Sequence, residues 1–97
     1  MSIKILASAS EDLDRGRIFY SRQGEGLGEY FLDSLSSDID ALALYAGIHP
    51  KVFGYYRLLS KRFPYAVYYL INRSRDVIVW RVLDLRQDPV RIQKALK

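Results

Sequence analysis

The chain has 97 residues, 49% hydrophobic and 27% charged, which fits one folded domain over residues 1–97 and excludes disordered, collagenous and low-complexity classes. It has no cysteine and a single histidine, His49, so disulfide scaffolds, thiol nucleophiles and multi-histidine metal centres are excluded. The net charge of +4 is unevenly divided: residues 1–48 carry four basic and eight acidic side chains, residues 49–97 eleven basic and three acidic. Such asymmetry suggests a cationic surface on the second half, suited to an acidic partner or nucleic acid; the simpler alternative is attraction between the two halves within the fold.

Ile3–Leu6 is a short apolar run consistent with a strand. Ser8-Ala9-Ser10-Glu11 has the spacing of a capping box, with Asp12 and Asp14 expected in the first turn of the helix that follows. Ala9, Leu13, Gly16 and Tyr20 recur at helical spacing, which predicts a helix over 9–22. Gln23-Gly24-Glu25-Gly26 breaks it. A second helix is predicted from Leu27 to Ala46, because Leu27, Phe31, Leu35, Ile39, Leu42 and Ala46 hold helical spacing. Gly47 stands at the position of a left-handed cap, with Pro50 soon after. The short break makes the two helices an antiparallel hairpin.

The period then changes. Val52–Leu59, Tyr65–Ile71 and Val77–Leu83 are rich in aromatic and β-branched residues and read as three strands joined by hairpin connections. Pro89 ends the sheet region, and Val90–Lys97 reads as a helical turn or a frayed tail. The expected fold is α+β: an N-terminal edge strand and an antiparallel helical hairpin packed on a three- to four-stranded antiparallel sheet. The strands are apolar at both parities, so something should cover the sheet face turned away from the hairpin. No apolar run approaches the ~18 residues of a membrane span, and the N-terminus lacks the flanks of a signal peptide, so the expected location is cytoplasmic.

Gly24-Glu25-Gly26-Leu27-Gly28 follows a helix and lacks the spacing of a phosphate loop, so it reads as an inter-helix turn. His49 is a loop residue without a partner for triad chemistry. The strongest signal is the stretch Tyr55–Tyr69, in which tyrosines interleave with Arg57, Lys61 and Arg62. Arg81, Arg86 and Arg91 add charge further on. This mixture suits nucleic acid or a protein hot spot, while many of the tyrosines serve the sheet itself.

The segments Arg57-Leu58-Leu59-Ser60-Lys61-Arg62-Phe63-Pro64-Tyr65-Ala66-Val67-Tyr68-Tyr69 and Arg81-Val82-Leu83-Asp84-Leu85-Arg86-Gln87-Asp88-Pro89 resemble the RelE/ParE toxin superfamily of type II toxin–antitoxin (plasmid stabilisation) modules. The resemblance implies a helical hairpin before an antiparallel sheet, no cofactor and no metal, and an antitoxin encoded by an adjacent gene. RelE-like members cut messenger RNA on the ribosome, while ParE-like members act on DNA gyrase. Ala66 follows Tyr65 where RelE-like nucleases carry a cation, Leu59 replaces a strand lysine, and no tyrosine follows Tyr69, which favours the ParE side. The residues expected to contact target or antitoxin are Arg57, Arg62, Tyr65, Arg81 and Arg86, with Asp84 orienting a neighbouring arginine. If the chain is instead a ribosome-dependent endoribonuclease, Arg57, Arg86 and Tyr65 would carry the charge stabilisation. No membrane partner is implied, and self-association as a homodimer is left open.

Overall fold

The structure is a computed structural model that describes residues 2–97. Along the chain run β1 (Ile3–Ile5), α1 (Ala7–Ser21), α2 (Leu27–Asp40), α3 (Leu42–Tyr45), β2 (Lys51–Val52), β3 (Tyr55–Leu59), β4 (Tyr65–Ile71), β5 (Val77–Asp84) and α4 (Pro89–Leu96). The strands form one sheet in the order β1-β5-β4-β3-β2. β1 lies at the edge as expected and is parallel to β5; the other pairings are antiparallel. The sheet has one strand more than the sequence pattern implied. The run Val52–Leu59 is interrupted at Phe53-Gly54, both at positive φ (56° and 87°), and these form the two-residue hairpin turn that pairs Val52 with Tyr55.

Strand alternation distributes two cores. Tyr65, Val67 and Tyr69 face the helical hairpin, where they meet Ala9, Leu13, Phe31, Leu35, Ile39 and Leu42. Ala66 and Tyr68 face the other way, against Leu83 and the α4 residues Ile92 and Leu96. The C-terminal segment is therefore neither a single turn nor frayed: it is an eight-residue helix covering the second sheet face. Asp88 caps it, its Oδ1 accepting from Val90 N at 2.9 Å, with Pro89 in the first turn. Part of the cover required by the two-sided sheet thus comes from the chain itself. Trp80 is an extra residue in β5, since Tyr68 pairs with Arg81 and Tyr69 with Val79. This bulge turns Trp80 to the α4 side while Val79 and Val82 both serve the hairpin core.

The hairpin helices approach closely. A Cβ on Gly16 would sit 2.4 Å from the Phe31 ring, and one on Gly28 would sit 1.9 Å from Ser21 Oγ and 2.6 Å from the Arg17 carbonyl oxygen. Glycine is the residue that fits these two crossings. The predicted Leu27–Ala46 helix is broken at Ala41 into α2 and α3, and Gly47 adopts φ 94° just beyond.

The start of α1 departs from the expected capping box. The N-cap is Leu6, without a side-chain cap. Ser8 Oγ instead donates to the Trp80 carbonyl at 3.2 Å, and Asp12 Oδ2 accepts from Val82 N at 3.0 Å. β1 pairs with β5 only at Val77–Val79, so the edge of β5 beyond that point lacks a strand neighbour. Two α1 side chains supply its missing hydrogen bonds. Because the helix begins at Ala7, neither Asp12 nor Asp14 lies in its first turn.

Candidate functional site

Of the eleven cations in the second half, only Arg81 and Arg86 form an ion pair with a carboxylate among the described residues. Among the described residues two ion pairs join the halves, Arg81–Asp12 and the more exposed Lys4–Asp76 at 3.6 Å, and nine of the second half's eleven cations remain without a carboxylate partner.

Arg57 sits on β3 opposite Tyr68, on the α4 side of the sheet. Its backbone N donates to the Pro50 carbonyl at 3.0 Å, while its side-chain Nε is buried without a hydrogen-bond partner among the described residues. Arg62 lies in the β3–β4 connection, donates to Tyr30 Oη at 2.9 Å, and has its guanidinium carbon 5.8 Å from the Tyr30 ring centroid.

Tyr65 begins β4 and is 8% exposed. It packs on Phe31 and Tyr20, with centroids 4.9 and 6.3 Å away. Burial, reinforced by the charge of Asp84, pushes its phenol up to about 12. Arg81 is held internally: Nε and Nη2 donate to Asp12 at 2.6 and 2.8 Å, and Nη1 donates to the Ala95 carbonyl at 2.9 Å. This tie joins α1, β5 and α4. Arg86 donates to both oxygens of Asp84, at 3.0 and 2.8 Å, and to Tyr20 Oη at 3.3 Å. Burial opposes ionisation of Asp84, but the side-chain and backbone hydrogen bonds from Arg86, together with its charge, outweigh that and hold the carboxyl below its ordinary value.

The six residues do not form one surface. Tyr65, Arg81 and Asp84 line a groove of about 280 Å³ bounded by α1, β5 and α4, and Arg86 joins them through Asp84. Arg57 stands on the α4 side of the sheet, and Arg62 beside the N-terminal end of α2.

Two helix carboxylates outside the expected set of contacts are buried. Asp12 is 5% and Asp38 7% exposed. The signal was present: Asp12 lies among Ala9, Leu13 and Gly16, and Asp38 among Phe31, Leu35 and Leu42, on the apolar helical stripes. Asp38 accepts from Ser60 Oγ at 2.8 Å and lines a second groove of about 370 Å³ at the end of the hairpin. His49 lines the same groove. Tyr69 Oη accepts from Gly47 N at 2.9 Å and lies 2.5 Å from His49 Nδ1, to which the phenol donates when that nitrogen carries no proton. Burial lowers the His49 pKa. No group of three or more His, Cys, Asp or Glu among the described residues is arranged to hold a metal ion. No helix there is long and apolar enough to cross a membrane.

An open, mostly antiparallel sheet with a helical hairpin on one face and a C-terminal helix on the other defines a small α+β domain. Residues 3–89 match the family described as "ParE toxin of type II toxin-antitoxin system, parDE", and the chain belongs to that family. Among solved structures it is similar to a chain of "Chromosomal ParDE TA system from P. aeruginosa", with TM-score 0.79 and 20% identity, covering 89% of this chain and 97% of that one. No curated protein matches the chain by sequence.

Proposed function

We propose that this protein is the toxin of a type II module that binds and inhibits DNA gyrase in the cytoplasm, performs no chemistry of its own, and is held inactive by an antitoxin encoded beside it. Membership of the ParE family supports the module. The observation that carries the binding mechanism is the separation of the groups a nuclease would need. Arg57 faces α4, whereas Tyr65 and His49 lie on the hairpin side of the sheet; Arg86 stands near Tyr65, but its guanidinium is held by both oxygens of Asp84. RNA cleavage requires activation of a 2′-hydroxyl, stabilisation of the phosphorane and protonation of the leaving oxygen within one reach. A buried phenol raised to about 12 is a poor proton donor and a poor base near neutrality. The unpaired cations suit docking on an acidic macromolecular surface, an attraction that weakens with salt.

The test is a gyrase supercoiling assay with purified, folded toxin. Inhibition at micromolar toxin is expected, and it should weaken when Arg57 and Arg62 are replaced by glutamate. Unchanged supercoiling at that concentration, with primer extension showing transcripts cut within codons after induction, would overturn the reading in favour of the ribosome.

A further inference from the structure

We propose that the groove at the end of the helical hairpin receives a basic side chain carried on an apolar face of the antitoxin, with Asp38 as its counter-ion. This rests on the toxin–antitoxin reading above and adds a contact of opposite sign to the cationic side of the sheet.

Asp38 is 7% exposed, yet its only hydrogen bond among the described residues comes from one neutral hydroxyl, Ser60 Oγ, to Oδ2. A carboxylate so deeply buried ordinarily has a cation or several donors, because its desolvation is otherwise uncompensated. Lys61 is at the rim but forms no ion pair with Asp38 among the described residues. Arg62 also lies close enough to feel the charge of Asp38, but its guanidinium is engaged with Tyr30 and it too forms no ion pair with Asp38 among the described residues, which leaves the carboxylate open to a cation from outside the chain.

The surroundings define what carries it. Leu42 and Leu58 wall the groove, and its size falls at the lower end of the ~300–1,000 Å³ typical of ligand clefts. Beside it, Leu44, Tyr45 and Ile48 are 81%, 53% and 72% exposed. This apolar surface extends beyond the cavity, so the partner has apolar length as well as a charged tip. Phosphate is repelled by Asp38, which disfavours nucleic acid here. A polypeptide segment with a lysine or arginine beside aliphatic residues satisfies both requirements, and a buried charge-assisted pair of this kind anchors an interface.

The experiment is titration calorimetry of the whole toxin with the product of the adjacent antitoxin gene. Asp38→Asn and Ile48→Glu are each expected to weaken binding by about 30-fold or more, in line with the loss of one partner of a buried interfacial charge pair or the burial of a charge against an apolar contact. Ile48 is so exposed that its replacement leaves the core intact, which protects the test if Asp38→Asn impairs folding. Replacing the antitoxin's basic residues singly by alanine should reveal one whose loss weakens binding to the wild-type toxin but not to Asp38→Asn. If the wild-type toxin binds while both variants bind within about threefold of it, the groove assignment is overturned and the antitoxin reading stands. If Ile48→Glu abolishes only self-association of the toxin, the occupant is a second copy and the proposal fails. If the wild-type toxin does not bind at all, the antitoxin reading fails and the groove assignment falls with it.

Discussion

Asp12 on α1 and Arg81 on β5 form a two-point ion pair, Nε to Oδ2 at 2.6 Å and Nη2 to Oδ1 at 2.8 Å. The carboxylate also accepts from Val82 N and from Arg15 Nη2, the latter at 2.7 Å. Asp12 thus satisfies a sheet edge and a partly buried guanidinium at once. Asp12→Ala strands Arg81 and the Val82 N–H together, so the expected loss is about 3–5 kcal/mol in urea unfolding. Arg81→Met should cost less, since Asp12 keeps Arg15 and Val82 N. Equal losses for the two variants, or a loss below about 1 kcal/mol for Asp12→Ala, would show that the pair does not hold α1 to the sheet.

The crossing of α1 and α2 predicts a steric effect. Gly28→Ala places a methyl group against Ser21 Oγ and, at 2.6 Å, the Arg17 carbonyl oxygen. Ser21 can rotate away, but the backbone oxygen cannot. The helices must part, at a cost of about 1–3 kcal/mol, although alanine is intrinsically the better helix former. A thermal midpoint equal to or above that of the wild type would contradict the close approach.

These two findings mark what the sequence disclosed and what it concealed. Apolar periodicity disclosed the hairpin, the edge strand and the three long strands, because side-chain burial follows helical and strand repeats directly. It placed Asp12 and Asp38 on the apolar stripes but did not disclose that they are buried there, because burial of a charge is decided by a partner far along the chain: Arg81 for one, Ser60 for the other. The Phe53-Gly54 turn was hidden inside a run of strand-forming residues, its only local sign being Gly54. The α4 helix was concealed for a related reason: eight residues have little helical stability alone, and this segment is held by Ala66, Tyr68 and Leu83. The same limit governed the candidate contacts. Composition picked out arginines, but only the fold distinguishes Arg81, tied to Asp12, from Arg57, which has no carboxylate partner among the described residues.

Tyr65 makes stability fall in alkali. Its phenol titrates at about 12 when folded against an ordinary value of 10.0. Its contribution is therefore fully present below pH 10 and is lost as pH rises through about 12, up to about 2–3 kcal/mol. Burial raises Tyr69 as well, and acts in the same direction. Urea midpoints at pH 8 and pH 11 should differ in the wild type and differ less in Tyr65→Phe. An identical drop in the two proteins would remove Tyr65 from the account.

His49 sets the opposite limit. Its pKa is lowered by burial from 6.5, so the unfolded chain takes up the proton first as pH falls. The associated stability is complete above pH 6.5 and declines as pH falls from there toward the lowered folded value. Protonated Nδ1 would become a donor facing a Tyr69 hydroxyl that already accepts from Gly47, leaving the phenol proton without its acceptor. An NMR titration of this single histidine should give a midpoint below 6.5, and Tyr69→Phe should move it upward. A wild-type midpoint at or above 6.5 would contradict the lowering by burial, and an unchanged midpoint in Tyr69→Phe would show that the phenol proton does not act on Nδ1.

Trp80, the only tryptophan, reports on the docking of α4. Its Nε1 donates to the Leu96 carbonyl at 2.9 Å, Tyr55 Oη donates to the same oxygen at 2.8 Å, and the two rings lie 5.5 Å apart. The end of α4 is thus fastened at one carbonyl by groups from β3 and β5, while Ile92 and Leu96 fill the space over Tyr68. Ile92→Ala removes buried methylenes and should cost about 2–4 kcal/mol. If α4 is held mainly by this packing, the variant should loosen it before the hairpin core unfolds, and Trp80 emission should shift to the red at urea concentrations where far-UV ellipticity is still largely native. Asp88→Ala, which removes only the cap, should cost about 1 kcal/mol and move the two transitions far less apart. Coincident fluorescence and ellipticity transitions in Ile92→Ala would mean that α4 unfolds together with the rest of the domain, and the second core would then be part of one cooperative unit.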